Sequence, residues 1–168
     1  MALTTFQGPV RSLNGFISDG PGSIKAVSTA TLTLDDVTYA GRTMNITAAT
    51  TTITLPALNA TADPSSSGPG SDPNNPNNLG TSYTFFLPTA ATTVKVITAA
   101  SNFLLGSAFV ALSGGTIPFF ADGTATRSIN LNGTTTGGIA GTFFTITAVT
   151  ATQWLVQGAL LGSGTVTT

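Results

Sequence analysis

The side chains that could carry out acid–base or metal chemistry in this sequence are few, and their spacing suits turns better than catalysis. The chain has no histidine, no cysteine and no glutamate, so a histidine-based triad, a thiol nucleophile and a thiolate zinc site are all excluded. Asp35 and Asp36 are adjacent, and adjacent side chains of an extended chain point to opposite faces. They are therefore predicted to mark a turn, not to work as an acid/base pair.

Oxygen ligands for calcium are offered by Asp63, Asp72 and the asparagines that follow them. Their spacing matches no EF-hand loop, and Pro64, Pro73 and Pro76 restrict how the segment could wrap around an ion. We therefore predict no catalytic residue, no metal and no cofactor. The chain is expected not to be an enzyme, and a β-fold hydrolase is disfavoured because its catalytic groups are missing.

The low charge of the chain bears on both its fold class and its state of assembly. Charged residues make up 7% of the sequence, against about 25% in ordinary soluble domains. Threonine, glycine, alanine and serine stand where exposed helices would carry glutamate and lysine, which favours an all-β fold. With a net charge of −1, self-repulsion is weak. The protein is then either a monomer coated with hydroxyl groups or, as we favour, a subunit of an assembly.

Two classes of partner are not expected. Five scattered Lys and Arg residues do not make the basic surface that nucleic acid binding needs. The most apolar stretch, Ala99–Leu112, is interrupted by polar residues and is too short to cross a bilayer of about 30 Å, so no membrane partner is predicted. The first residues show no secretory signal, and the lack of cysteine suits assembly in a reducing cytoplasm.

Residues 1–22 are predicted to form an extended N-terminal arm, because proline and glycine are too dense there for a helix or a long strand. Such an arm either docks on a neighbouring subunit or folds back on its own domain. The residues predicted to make such a docking contact are Leu3, Phe6, Pro9, Val10, Leu13 and Phe16.

Residues 23–168 are predicted to form one β domain, because alternation with period two recurs along them. Ile24–Leu34 is expected to be one extended segment, Thr142–Val149 and Gln153–Gln157 a hairpin with Trp154 in the core, and Gly162–Thr168 a frayed tail. Residues 62–80, rich in proline, asparagine and serine, are predicted to form a surface loop. Further strands are predicted at Arg42–Ala48, Thr51–Leu55, Tyr83–Leu87, Val94–Thr98, Leu104–Leu112, Ile117–Phe120 and Ser128–Asn132.

Many short strands at this spacing predict a single antiparallel β-sandwich or barrel of jelly-roll-like type, with the extended arm attached. Several segments resemble the small head-decoration (cement) proteins of tailed bacteriophages, and the resemblance covers most of Gly41–Gly164. They are Gly41–Thr47, Thr52–Pro56, Gly80–Phe86, Ile129–Gly138 and Thr152–Gly158, with a weaker likeness in Phe6–Val10 and Asn14–Phe16.

The resemblance implies a non-enzymatic virion protein on the outer surface of a phage capsid, assembled in the host cytoplasm. Such a protein bridges capsomers and stabilises the shell, as a trimer, so its partners would be copies of itself and the major capsid protein. The alternative is a tail-fibre or spike module that binds host-surface glycans on aromatic platforms. Tyr83, Phe119 and Phe120 are the candidate platforms if they are exposed.

Overall fold

The structure is a computed structural model, and it describes residues 24–36, 38–60 and 78–165. The six predicted arm contacts, Leu3 to Phe16, lie outside the described residues. The same is true of residues 62–77, which make up most of the predicted surface loop.

Every helix or strand within the described ranges is a β-strand, so the all-β expectation is confirmed for that part of the chain. Threonine, valine, isoleucine and phenylalanine dominate these strands, as their branched or aromatic side chains fit a pleated surface. The strands are β1 (Ile24–Val27), β2 (Thr31–Thr33), β3 (Thr43–Ile46), β4 (Thr50–Thr54), β5 (Ser82–Phe86), β6 (Thr93–Ile97), β7 (Phe103–Ser113), β8 (Gly115–Asp122), β9 (Ser128–Leu131), β10 (Phe143–Ala148) and β11 (Gln153–Thr165).

The first six strands alternate between two sheets, which we call the large and the small sheet. Strands β1, β3 and β5 lie side by side in the large sheet, and β2, β4 and β6 in the small one. Because the chain leaves each sheet after one strand and returns for the next, consecutive strands within a sheet run parallel. The turns that leave β1 and β3 are hydrogen-bonded to each other, since the Val27 carbonyl accepts hydrogen bonds from the Thr47 and Ala48 amides.

The chain then reverses, so both sheets are mixed. Strand β9 pairs antiparallel with β6 and completes the small sheet, in the order β2-β4-β6-β9. Strand β10 pairs antiparallel with β5, and the large sheet has the order β1-β3-β5-β10-β11-β7-β8. The expectation of an antiparallel fold is wrong, because five of the strand pairs are parallel. Alternation of side chains does not reveal strand direction, since parallel and antiparallel strands share the period of two.

One cluster of buried side chains draws on both sheets, and aromatic rings are its largest members. Trp154 and Tyr83 are fully buried with their ring centroids 5.8 Å apart. Phe85 and Phe144 stack at 4.9 Å. The predicted hairpin is confirmed, with Ala148 opposite Trp154, and so is the place of Trp154 in the core.

Two predictions of local structure are wrong. Ile24–Leu34 is two strands in different sheets, because the chain turns between Val27 and Thr31. Gly162–Thr165 is not a frayed end but the last part of β11. The Ser163 and Gly164 amides donate hydrogen bonds to the Gly133 and Thr134 carbonyls, and these bonds hold the strand end against the loop after β9.

Candidate functional site

A row of side chains crosses the outer face of the large sheet, the face that points away from the buried cluster. Its members are direct neighbours in register on successive strands, from β1 to β8. We call them the phenylalanine row: Ala26, Asn45, Phe86, Phe143, Ala159, Phe109 and Pro118. Each lies next in sequence to an inward-facing residue, as Phe143 does to buried Phe144, because successive side chains alternate across a strand.

A second row runs beside the first, two residues away from it on each strand. We call it the hydroxyl row: Ile24, Thr43, Thr84, Thr145, Gln157, Ser107 and Phe120. Its centre is polar, with the Thr84 and Thr145 hydroxyls 3.2 Å apart. None of the residues in the two rows carries a charge. The two rows therefore form an uncharged part of the outer face, with an apolar stripe and hydroxyl groups alongside.

Large apolar side chains on this face are open to solvent. Phe120 is 72% exposed, Phe109 63% and Phe143 48%. Isolated exposed hydrophobic residues are normal in soluble proteins, but a contiguous apolar stripe marks an interaction surface. Phe109 and Phe120 lie on adjacent strands and Phe143 lies two strands from Phe109, so the three rings are on the same part of the outer face.

The outer face of the small sheet has a different character. Thr31, Thr52, Lys95 and Asn130 form one row across its strands. Lys95 is exposed near the middle of this face. A lysine among hydroxyl and amide groups favours contact with water, so the two outer faces differ in what they can bind.

The sheet edges are unsuited to pairing with another chain. Strand β8, at one edge of the large sheet, contains Pro118, which has no amide to donate. Strand β1, at the other edge, carries the exposed cation Lys25. The edges of the small sheet are strands of only three and four residues. Short strands, proline and lysine at edges all discourage edge-to-edge association, which leaves a sheet face as the available contact surface.

A crevice of about 220 Å³ lies on the inner side of β8, where it approaches β9. It is lined by apolar side chains, among them Ile117, Phe119 and Leu160, and by the hydroxyls of Thr135 and Thr136. No lining residue is ionisable. The crevice can hold a small apolar group but offers no acid or base to one.

A buried polar cluster joins the turn after β2 to β5 and to both flanks of residues 61–77. The Tyr83 hydroxyl donates to Asp36 Oδ1 at 2.6 Å, and Asn78 Nδ2 donates to Asp36 Oδ2 at 3.0 Å. Asn78 Nδ2 also donates to the Ala57 carbonyl, while Asn78 Oδ1 accepts from the Asn59 amide at 2.8 Å. Burial raises the pKa of the Tyr83 hydroxyl well above its ordinary value, and the hydrogen bond to Asp36 raises it further. The cluster is a structural clamp, since Tyr83 is fully buried.

Asp122 organises the turn after β8. Its Oδ1 accepts hydrogen bonds from the Thr124 and Ala125 amides at 2.9 and 3.0 Å, and Oδ2 accepts from the Thr124 hydroxyl at 2.7 Å. These donors hold the pKa of the Asp122 carboxyl below its usual range, the bond from the Ala125 amide contributing most. The carboxylate therefore acts as a turn acceptor rather than as a general base.

The aromatic residues predicted as glycan platforms occupy three different environments. Tyr83 is fully buried, so it is not a platform. Phe119 is half-buried against the core cluster. Phe120 is exposed at the end of the hydroxyl row.

The phenylalanine row was not predicted, although the sequence contains a signal for it. Phe-Phe doublets stand at 85–86, 119–120 and 143–144. Adjacent residues of a strand face opposite sides, so each doublet sends one ring to the core and one outward. Phe109 has no such doublet, and its outward position depends on the register of β7.

Within residues 24–36, 38–60 and 78–165, no three acidic, histidine or cysteine side chains come together in a way that could hold a metal ion. In the same ranges no helix has the length and apolar character to span a membrane. Protein-family models, curated proteins and solved structures give no match to this chain.

Proposed function

We propose that this chain is a non-enzymatic structural protein of a phage virion, which binds the outer surface of the capsid and bridges capsomers as a trimer. Its domain would be a β-sandwich with the core between the two sheets, and residues 1–22 would be its extended arm. The major capsid protein and other copies of the chain are its partners, and the assembled virion is its location.

The observation that carries the proposal is the uncharged, partly apolar pair of rows on the outer face of the large sheet. A free monomer gains nothing from three phenylalanine rings in water, whereas a subunit buries them against a neighbour. Binding to a shell also stabilises the folded subunit by mass action. The absence of histidine, cysteine and glutamate from the sequence agrees with a role that needs no reactive group.

The test is to locate the protein on particles. Antibody–gold labelling or cryo-electron microscopy of virions is expected to show it distributed over the head surface. Capsids that lack the protein should rupture at lower temperature or under milder osmotic shock, and purified protein should restore their resistance. Labelling confined to the tail, or no effect on capsid rupture, would overturn the proposal.

A host-glycan-binding module of a tail fibre or spike is the second candidate, and the surroundings of Phe120 favour it. The exposed ring lies in register with Ser107, and Gln157 and Thr145 continue the row. An aromatic face beside amide and hydroxyl groups is suited to stacking on and hydrogen bonding to a sugar ring. Binding on a glycan array that is lost in Phe120→Ala, together with tail labelling, would support this candidate over the first.

A further inference from the structure

We propose that the phenylalanine row is the receiving surface for the N-terminal segment, residues 2–20, of a neighbouring copy of this chain. The inference rests on the proposed function in one respect, the trimer, and it names the surface through which the copies hold one another. The occupant is a segment of stated sequence, and the receiving surface consists of described residues.

The two surfaces match in chemistry. The segment carries apolar side chains at Leu3, Phe6, Val10, Leu13 and Phe16, and two charged ones, Arg11 and Asp19. The receiving rows are uncharged and partly apolar, so the apolar side chains can be buried there while the two charged groups stay in water.

The length of the segment and its point of attachment favour a neighbour over the same domain. Residues before Ile24 enter the domain at β1, an edge strand of the large sheet. The sheet is about 29 Å wide from β1 to β8 at ordinary strand spacing, whereas 23 extended residues reach about 76 Å. The segment is thus more than twice as long as its own sheet requires.

The distribution of side chains across the face also favours docking on a neighbouring copy. On β1 the face carries Ile24 and Ala26, and next to them on β3 it carries the polar Thr43 and Asn45. The exposed rings Phe143, Phe109 and Phe120 lie on β10, β7 and β8, toward the far edge. A segment that continues away from β1 approaches a neighbour's far edge directly. A segment-to-sheet contact joins two different surfaces, and repeating such a contact closes a ring when the rotation between copies is that of a trimer.

Cysteine pairing tests the contact, because the chain has no cysteine of its own. A Gln7→Cys variant, with its cysteine beside Phe6, is mixed with a separate Ser107→Cys variant. Ser107 is exposed on the outer face, between Phe109 and Phe120. One of the two variants carries a size tag, so that a disulfide between unlike chains is recognised on a non-reducing gel. Thr93→Cys, exposed on the outer face of the small sheet, is the matched control.

The expected result is a disulfide between unlike chains in the Gln7–Ser107 mixture, with a yield about tenfold above that of the Gln7–Thr93 mixture, because docking raises the effective concentration. Equal yields in the two mixtures overturn the proposal. The double variant Gln7→Cys/Ser107→Cys separates the two sources of the segment: linked chains support the proposal, and a disulfide closed within single chains overturns it.

A second measurement uses charge. Phe109 and Phe143 are exposed, so Phe109→Asp/Phe143→Asp is expected to fold while its mass by light scattering drops from that of the oligomer to that of one chain. Thr93→Asp should leave the oligomer intact. An oligomer that survives the double substitution, or a wild-type chain that is monomeric, contradicts the proposal. The two proposals fail in different experiments. Labelling of the virion tail would overturn the proposed function but would leave the disulfide result unchanged.

Discussion

The Tyr83 hydroxyl and the Asp36 carboxylate lie 2.6 Å apart and connect strand β5 of the large sheet to the turn that leaves the small sheet. The hydrogen bond joins residues 47 positions apart. Because Tyr83 is fully buried, water does not replace Asp36 as its partner.

Tyr83→Phe removes this hydrogen bond and keeps the ring. The free energy of unfolding is expected to fall by about 1.5–3 kcal/mol, the contribution of a hydrogen bond to a charged group. Urea unfolding followed by tryptophan fluorescence measures it, since Trp154 packs against the ring. Tyr39→Phe is the control, and an equal loss of stability in both variants would show that the Asp36 contact contributes nothing.

The raised pKa of Tyr83 predicts a loss of stability in alkali. The phenol stays protonated in the folded chain, whereas in the unfolded chain it ionises near pH 10, so its contribution is complete below pH 10 and declines above it. Above that pH the wild type should lose about 1.4 kcal/mol per pH unit more than Tyr83→Phe. Unfolding of both proteins at pH 9 and pH 11 measures the difference, and parallel losses would contradict the assignment.

Asn78→Ala is predicted to destabilise the domain by about 2–3 kcal/mol. The substitution removes three hydrogen bonds of the buried Asn78 side chain, those with Asp36, the Ala57 carbonyl and the Asn59 amide. Thermal unfolding monitors the change. Asn130→Ala is the matched control, because this exposed amide contacts only the Ser128 hydroxyl, and its effect should stay within about 0.5 kcal/mol.

Gly158→Ala is predicted to cost at least about 3 kcal/mol. Gly158 has a φ of 152°, and an added Cβ would lie 2.5 Å from the Phe143 carbonyl oxygen and 2.5 Å from Phe144 Cα. Gly164 lies in the same strand, and a Cβ there meets its nearest atoms at 3.4 Å. Gly164→Ala should therefore be nearly neutral, and similar unfolding temperatures for the two variants would refute the strain at Gly158.

Asp122→Ala is predicted to loosen the turn after β8 without unfolding the domain. The amides of Thr124 and Ala125 lose their acceptor, so their hydrogen exchange should accelerate several-fold while exchange in β10 stays slow. Acid has the same local effect: the lowered pKa means that the contribution is present above the unfolded value near 3.8 and is lost as the pH falls below it. Unchanged exchange at Thr124 would contradict the role of the carboxylate.

Local alternation allowed several strands to be predicted, but not the sheets to which they belong. Met44 and Ile46 face the core as expected, because period two is a property of any half-buried strand. The same pattern in Ile24–Leu34 spans a corner, and nothing in it shows that Val27 and Leu34 face the core from different sheets.

The candidate site was harder to predict for a similar reason. The Phe-Phe doublets require rings on the outside, but only the register of β10, β11, β7 and β8 brings Phe143 and Phe109 into one row. Register between distant segments depends on tertiary packing, which a single sequence does not display. The predicted arm contacts lie outside the described residues and stay predictions.

Strand β11 ends the described chain and yet lies in the interior of the large sheet, between β10 and β7. Strands β7 and β8 therefore have no attachment to the rest of that sheet until residues 153–165 have left the ribosome. Assembly of the complete sheet must wait until β11 has been synthesised, and stop codons before β11 should yield insoluble chains rather than smaller folded domains.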